Sequence, residues 1–405
     1  MSYLHVDLNS FYAYCTVITS DGRYTFDSPI IIGGDESKRH GIVLAATYPV
    51  KKKGIHAGMS LREAMALCPE AELVPADYRL YTHYSNKFMD IIKQYSPLIM
   101  RYGIDEAYID YNGCEYLFGP PVEIAYTIKE RVKNEIGLTV SVGVGDNPLM
   151  AKMGSDYKKP DAVTVVTRDF WREHILPLKV SDLMYIGRST TLKLNSIGIF
   201  TIGQLATASQ SVLKAMFGVA GKQMWLHANG IDDQKVLLES DDQKSISCAC
   251  TLPGDIECID ELYTAILRQT DKVSFKLRQL GMRALVIGVT VKYNDLSHLS
   301  KQYKMFSPSD VTGELYDHAK RLVTSLYGAK PIRQVGVRVA SLVHGREQLT
   351  IFEDKLHEKR HKLDCALDEL RTRYGNDVIS RGSTLCYKAH DTEDLVPFDR
   401  QGAKK

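Results

Sequence analysis

The sequence predicts a multi-domain α/β protein, and three observations carry that prediction. The chain has 405 residues, more than one ordinary hydrophobic core organises. Over residues 1–165, apolar runs of strand length alternate with stretches of helical spacing, the pattern of a mixed sheet with crossover helices. From residue 244 to 345 the same alternation returns, after a stretch of short helices broken by glycines.

Taken in order, Tyr3–Leu8 reads as a buried strand, with Pro29–Gly33 and Gly41–Tyr48 as two more. Ser60–Leu67 is a helix with Leu61, Ala64, Met65 and Leu67 apolar, and the spacing of Tyr81, Tyr84, Phe88 and Ile91 predicts another over Tyr81–Gln94, stopped ahead of Pro97. Leu98–Asp110 reads as two strands around Gly103–Glu106, followed by a helix at Val122–Ile136, a strand at Leu138–Gly143 and a helix around Met150–Tyr157. Residues 166–232, with glycines at 187, 198, 203, 218, 221 and 230, predict short helices, and residues 233–243 are polar enough for a linker. Beyond it come a long helix over Asp260–Leu280, strands at Ala284–Tyr293, Lys301–Phe306 and Gln334–Leu342, and a helix at Val311–Leu326. Residues 353–374 form a charged amphipathic helix with Leu356, Leu363, Leu367 and Leu370 on one side, and the end from Asp391 is expected to fray.

Composition narrows the class. A hydrophobic share of 44% with 25% charged residues is that of a soluble globular chain. Its longest apolar runs, Gly41–Ala46 and Ala284–Val291 among them, fall far short of the roughly 20 residues that cross a bilayer. No charged and apolar leader precedes Tyr3, so a cytoplasmic protein without a membrane anchor is expected. The eight cysteines are scattered without a CxxC pair, which reads as reduced, mostly buried thiols rather than zinc ligands or disulfides. Net charge is +2, yet residues 243–345 hold 14 Lys/Arg against 9 Asp/Glu, a local surplus that suggests an anionic partner as readily as a solvated face.

Two segments carry chemistry. In His5-Val6-Asp7-Leu8-Asn9-Ser10-Phe11-Tyr12-Ala13 an aspartate ends a buried strand, where an unpaired carboxylate is costly; capping a helix over residues 10–15 would explain it equally well. In Tyr102-Gly103-Ile104-Asp105-Glu106-Ala107-Tyr108 two adjacent carboxylates sit in an apolar stretch, where repulsion raises the pKa of one unless a divalent cation intervenes. On a regular strand the two would face apart, so a hairpin bend has to bring them together. Three carboxylates on neighbouring strands of one sheet can hold two Mg²⁺ ions about 3.5–4 Å apart, the arrangement for in-line displacement at phosphorus.

In order and spacing these motifs resemble a Y-family DNA polymerase, the UmuC/DinB-like class, from residue 1 to about 352. The family's Asp-x-Asp/Asn-x-Phe-Phe/Tyr-Ala stands as Asp7–Ala13, and its Ser-Ile-Asp-Glu-Ala/Val-Phe as Gly103–Tyr108, with glycine replacing serine. The resemblance implies that Asp7, Asp105 and Glu106 are the catalytic metal ligands, with the carbonyl of Leu8 helping to hold the triphosphate-bound Mg²⁺. It implies that Leu8, Asn9, Ser10, Phe11 and Tyr12 line the nucleotide, Tyr12 lying under the sugar as the gate against ribonucleotides. Asn9, where DinB-like members often carry aspartate, points to the UmuC-like branch. Tyr48 and Lys51, in Ala45–Met59, match a phosphate-binding motif in which many members carry arginine; lysine lacks the bidentate fork. Ser141–Lys152 matches a third motif with proline at 148, and Lys159 after it is the expected triphosphate contact.

The remaining resemblances concern DNA and partners. Tyr185–Ile199 reads as a helix–hairpin–helix in which Gly187 and Arg188 approach a phosphate, with a plain αα-hairpin as the competing reading. Residues 244–345 resemble the family's extra DNA-binding domain, with Lys292, Lys301, Arg333 and Arg338 following the backbone. Gln348-Leu349-Thr350-Ile351-Phe352 resembles the bacterial sliding-clamp-binding pentapeptide through Gln348, Leu349, Ile351 and Phe352, a strand end or linker being the alternative. The implied architecture is a right-hand polymerase: palm 1–10 and 77–165, fingers 11–76, helical thumb 166–232, linker 233–243, little finger 244–345, and clamp peptide with helical tail 346–405. Such an enzyme performs low-fidelity translesion synthesis on primer–template DNA with dNTPs; the sequence leaves open whether UmuD-like or recombinase accessory proteins take part. Nucleotidyl cyclases share the sheet type and the metal carboxylates but lack the DNA-handling segments. A catalytically dead adaptor would have lost the acidic triad, and a DNA-binding module without activity would have no use for it.

Overall fold

The structure, a computed structural model, describes residues 2–34, 41–233, 236, 243–328, 330–344, 355–375, 378–379 and 381–382. In chain order its first unit runs β1 (Tyr3–Leu8), α1 (Phe11–Ile18), β2 (Ile30–Gly33), β3 (Val43–Ala46), α2 (Tyr48–Lys51), α3 (Leu61–Leu67), β4 (Glu72–Pro75), α4 (Tyr78–Ile92), β5 (Leu98–Arg101), β6 (Glu106–Asp110), α5 (Glu115–Phe118), α6 (Pro121–Ile136), β7 (Val140–Gly145), α7 (Pro148–Tyr157) and β8 (Val163–Val166). It closes with α8 (Arg168–Phe170), a π-helical turn over Trp171–Ile175, a 3-10 turn over Val180–Asp182, α9 (Arg188–Asn195), α10 (Ile202–Thr207), α11 (Gln210–Phe217) and α12 (Val219–Ala228). The second unit holds β9 (Ser245–Ile256), α13 (Ile259–Gln279), β10 (Met282–Tyr293), β11 (His298–Ser309), α14 (Thr312–Thr324), β12 (Ile332–His344) and α15 (Lys355–Tyr374). Among the described residues no helix is long and apolar enough to cross a membrane.

Alternation along β1 decides how the first unit is layered. Leu4, Val6 and Leu8 are buried in a core shared with α1, α4 and α6, so His5 and Asp7 face the opposite side of the sheet. That sheet has the order β5-β6-β1-β7-β8, all neighbours antiparallel except β7 and β8. α7 lies across it on the side of His5 and Asp7, and its other flank joins an apolar cluster with the helices after β8, through Leu149, Met150, Met153, Trp171 and Ile175. A small sheet β3-β2-β4 has its own core around Ile31, Val50, Ile55 and Leu61. β4 and β8 escaped the sequence reading: each is four residues long, and β4 buries too little to alternate.

The second unit is a sheet of order β11-β10-β12-β9 backed by α13 and α14. α15 packs by its charged side. Its Leu356, Leu363 and Leu370 are 54%, 57% and 40% exposed, so the leucine side does not face the core. The polar side docks instead. The Arg278 guanidinium of α13 donates to Asp368 at 2.6 and 3.0 Å and to the Asp310 carbonyl at 2.7 Å, while Asp364 accepts from the Thr312 N–H at 2.8 Å. Arg371 pairs with Asp271 at 2.7 Å and His357 with Glu314 at 2.7 Å. Buried Arg278 needs those carboxylates, and that need orients the helix. Cysteines 15, 68 and 114 are buried as expected, but Cys258 is exposed, and no disulfide forms among the described residues.

Candidate active site

The carboxylates meet because β1 and β6 are in register at their ends. Asp7 stands opposite Glu106, and the bend before β6 carries Asp105, whose carbonyl accepts from the Leu8 N–H at 2.9 Å. Gly103 is the tight point of that bend. A Cβ there would lie 3.0 Å from Glu106 Cγ and 3.3 Å from Asp105 Oδ1, so glycine, in place of the family's serine, leaves room for both side chains. Burial, with Asp7 and Glu106 beside it, pushes the Asp105 carboxyl up to about 7. Burial also works to raise Glu106, but the His5 imidazole and the Lys152 ammonium outweigh it and leave its pKa at about 2. Two neighbouring carboxyls thus take opposite shifts.

α7 supplies the cations. Asn147 caps it, accepting from the Met150 N–H at 2.9 Å with Pro148 in the first turn. Lys152 Nζ is 2.8 Å from Glu106 Oε2, 3.2 Å from Asp7 Oδ2 and 3.3 Å from Asp156 Oδ1. Just past the helix, Lys159 Nζ reaches Asp7 Oδ1 at 2.8 Å and Asp156 Oδ1 at 2.9 Å. The sheet admits α7 this closely only because β7 carries glycines. A Cβ on Gly143 would meet the Ala151 carbonyl oxygen at 1.8 Å, and one on Gly145 would meet the Ala151 nitrogen at 2.7 Å.

Beneath the carboxylates lies His5, fully buried, with Nε2 3.2 Å from Glu106 Oε2 and Nδ1 2.7 Å from Ser155 Oγ. Donor atoms of His5, Asp7 and Glu106 all lie within 4.8 Å of one another; Asp105 is not in that group. Crowded carboxylate oxygens of this kind suit a hard divalent cation, which would offset both the burial and the neighbouring negative charge that raise Asp105.

The face where the sequence places a nucleotide is built by α1. Ser10 ahead of it is left-handed at φ 45°, ψ 45°, a conformation rare for serine, which turns the chain sharply from β1 into the helix. Tyr12 stacks on buried Tyr81 with centroids 4.1 Å apart and planes 11° apart, and meets Tyr78 edge-on at 6.1 Å. Lys51 sits 5.1 Å from the Tyr48 ring centre, and partial desolvation with the Lys159 ammonium nearby lowers its pKa. Two cations so placed favour an anion between them. Phe11 belongs to the core, and the Asn9 side chain is engaged elsewhere: it donates to Ser141 Oγ at 2.9 Å and accepts from the Asp161 N–H at 2.9 Å. Asn9 ties β1 to β7 and to the loop after α7 rather than facing open space.

The expected DNA contacts separate. Gly187 is the N-cap of α9 with open space around its Cα, Arg188 is the first helical residue, and Gly198 at φ +83° turns the chain toward α10; a 3-10 turn, not a helix, precedes Gly187. On the second unit's sheet Lys292 and Arg338 stand on the face away from the helices, since core residues Val291 and Val337 alternate with them. Lys301 does not join them: it pairs with core-facing Val289 and donates to Ser325 Oγ at 2.9 Å beside the end of α14. Arg333 is half-buried at a register shift of β12. The pentapeptide Gln348–Phe352 and most of the expected linker lie outside the described residues. Sequence reasoning missed His5, Ser155, Asp156 and Tyr81, and quoted Lys152 without a role. His5 was within reach, because strand alternation puts it on the face of Asp7.

Comparison with known proteins places this arrangement. The fold is that of the Y-family DNA polymerases: a Dbh–Dpo4 chimera of that family aligns with TM-score 0.73 at 24% identity, covering 85% of this chain and all of the other, and the ternary insertion complex of Dbh DNA polymerase aligns with TM-score 0.58 at 23% identity over the same shares. It comprises palm, fingers, thumb and a C-terminal little finger. Residues 6–156 match the impB/mucB/samB family and residues 243–351 its C-terminal domain. "DNA polymerase IV" of Pelotomaculum thermopropionicum is 37% identical over 94% of this chain and 95% of its own, and that of Clostridium acetobutylicum 34% over 94% and 97%. The chain belongs to the impB/mucB/samB family and is a DNA-directed DNA polymerase of the translesion class, metal-dependent as its family is. Similar relatives carry the DNA polymerase IV name, so the UmuC-like branch expected from Asn9 is not supported; Asn9 serves the internal bonds just described.

Proposed function

We propose that this chain works as a DNA polymerase IV does by name, extending a primer 3′-hydroxyl with dNTPs across damaged template, with two Mg²⁺ ions at Asp7, Asp105, Glu106 and the Leu8 carbonyl. The observation that carries this reading is the convergence of Asp7, Asp105 and Glu106 on one sheet end, with Lys159 paired to Asp7 and with Tyr48 and Lys51 close enough to feel the charges of Asp7 and Lys159. Bound there, the ions supply Lewis acidity to the α-phosphate and to the attacking and leaving oxygens.

The chain's own residues do the rest. Lys51, Lys159 and the Tyr48 hydroxyl hold the β- and γ-phosphates. Tyr12, fixed by its stack on Tyr81, closes the space beside C2′ so that a 2′-hydroxyl collides with the ring. Lys152, drawn by three carboxylates, keeps the site's net charge low enough for the acidic groups to stay together. Gly187 and Arg188 on the thumb, with Lys292 and Arg338 on the open sheet face of the little finger, contact DNA phosphates without reading sequence. Gln348–Phe352 supplies the sliding-clamp contact, and its deletion is expected to remove clamp stimulation while sparing basal extension.

Primer extension past an abasic site with Mg²⁺ tests the reading. Asp105→Ala/Glu106→Ala is expected to abolish it, and full extension by that double variant would overturn the mechanism.

A further inference from the structure

We propose that His5 is a positioning residue for this polymerase, holding the Glu106 carboxylate toward the divalent cation through a Ser155–His5–Glu106 relay. The inference rests on the reading of Glu106 as a metal ligand. His5 lies on β1 two residues before Asp7, on the same face, and is fully excluded from solvent. Such an imidazole is costly to bury unless both nitrogens have partners. Nδ1 has Ser155 Oγ at 2.7 Å, and Nε2 lies 3.2 Å from Glu106 Oε2, a close contact that falls short of hydrogen-bond geometry; among the described residues no other group pairs with Nε2.

The direction of the relay follows from the groups themselves. An ionised carboxylate only accepts, so Nε2 carries the hydrogen and Nδ1 is the acceptor. The Ser155 hydroxyl must then donate to Nδ1, although it also lies 2.9 Å from the Lys152 carbonyl. Ser155 is on α7, one turn after Lys152, so a single helix reaches Glu106 from two sides: directly through the Lys152 ammonium, and through Ser155 by way of His5. Edge-on packing against Tyr108, with ring centres 4.5 Å apart, blocks rotation of the imidazole. Outer groups that orient a ligating carboxylate typically contribute a factor of about 10–100 in metal affinity.

Binding of Mn²⁺ alone to the full chain, without DNA, followed by electron paramagnetic resonance, tests this. His5→Phe keeps the aromatic packing and removes both polar contacts; it is expected to weaken the tighter Mn²⁺ site by about 10–100-fold at an unchanged melting temperature. Ser155→Ala should weaken it less, and His5→Gln, which restores a donor, should recover part of the loss. In primer extension the same variants should raise the Mg²⁺ requirement and leave the KM for dNTP in place. If His5→Phe does not fold, Ser155→Ala and His5→Gln decide. Mn²⁺ binding within twofold of wild type in these variants, while Glu106→Ala weakens it, would overturn the relay and leave the metal reading standing. Undiminished binding in Glu106→Ala would remove the metal reading itself, and the relay with it.

Discussion

Replacing Gly143 by alanine puts one methyl group where β7 and α7 touch. Gly143 is not among the residues with positive φ, so the backbone conformation suits alanine and the cost is entirely spatial. The new Cβ would sit 1.8 Å from the Ala151 carbonyl oxygen, 2.5 Å from the Ser155 nitrogen and 2.9 Å from the Ala151 carbonyl carbon, all main-chain atoms of one helix. Ordinary contact begins at 3.4 Å, so α7 must retreat by about 1.6 Å. Overpacking that side chains absorb costs about 1–3 kcal/mol; here a helix backbone has to move, so at least about 3 kcal/mol is expected. For a unit of this size that lowers Tm by roughly 6–12 °C. α7 carries Lys152, Ser155 and Asp156, and misplacement by about 1 Å costs on the order of 100-fold in rate. Calorimetry and single-nucleotide primer extension measure the two effects. Gly187→Ala is the control: its φ is −86° and nothing lies within 4 Å of the added atom, so only the loss of an N-cap glycine, up to about 1 kcal/mol, should show in Tm. A Gly143→Ala protein melting within 2 °C of wild type (about 0.5–1 kcal/mol) and extending at normal rate would refute the argument that this contact sets the site.

Three further outcomes follow from the structure. Tyr12→Ala should lower discrimination against ribonucleotides by roughly 100-fold, and Tyr81→Leu, which removes the stack but not the ring of Tyr12, should lower it by less; unchanged dNTP/NTP ratios in primer extension would count against the gate. Asp105→Asn should abolish extension yet raise Tm in EDTA above pH 7. Because the folded pKa is raised to about 7, the neutral acid is the stable form in the fold, and wild-type stability falls as pH rises through that value; thermal melts from about pH 6 to about pH 8 with equal slopes for both proteins would contradict this. Arg278→Met should leave half-buried Asp368 without its cation, while Asp364 keeps Arg381, at a cost of about 3 kcal/mol, loosening α15; amide exchange of α15 no faster than in wild type would show that the helix is held some other way.

Much of the site was legible because it is written in short, contiguous pieces. Asp7 to Tyr12 and Asp105-Glu106 are local signals, and the need to relieve crowded carboxylates follows from the dipeptide itself. Strand alternation was also legible: β1 matches its expected span, and the long helix α13 is displaced by a single residue. Lys301 and α15 went the other way. A strand of mixed polarity does not announce which of its faces meets helices, and leucines spaced along one side of residues 356–370 do not say whether that side is buried. Buried Arg278, 86 and 90 residues away from its aspartates, decided the side by demanding carboxylates.

By itself, then, the sequence determined the α/β architecture, the carboxylate segments and the stretch from Asp7 to Tyr12, since each depends on neighbours along the chain. Only the tertiary structure decided what holds the triad in place. Lys152 meets Glu106 and Asp7 across 46 and 145 residues, and Ser155 meets His5 across 150, through strand register and the close seat of α7 on Gly143 and Gly145. Periodicity reports which way a residue faces on its own element. Which residue it faces depends on how two elements are brought together, and in this polymerase that is set by two missing side chains.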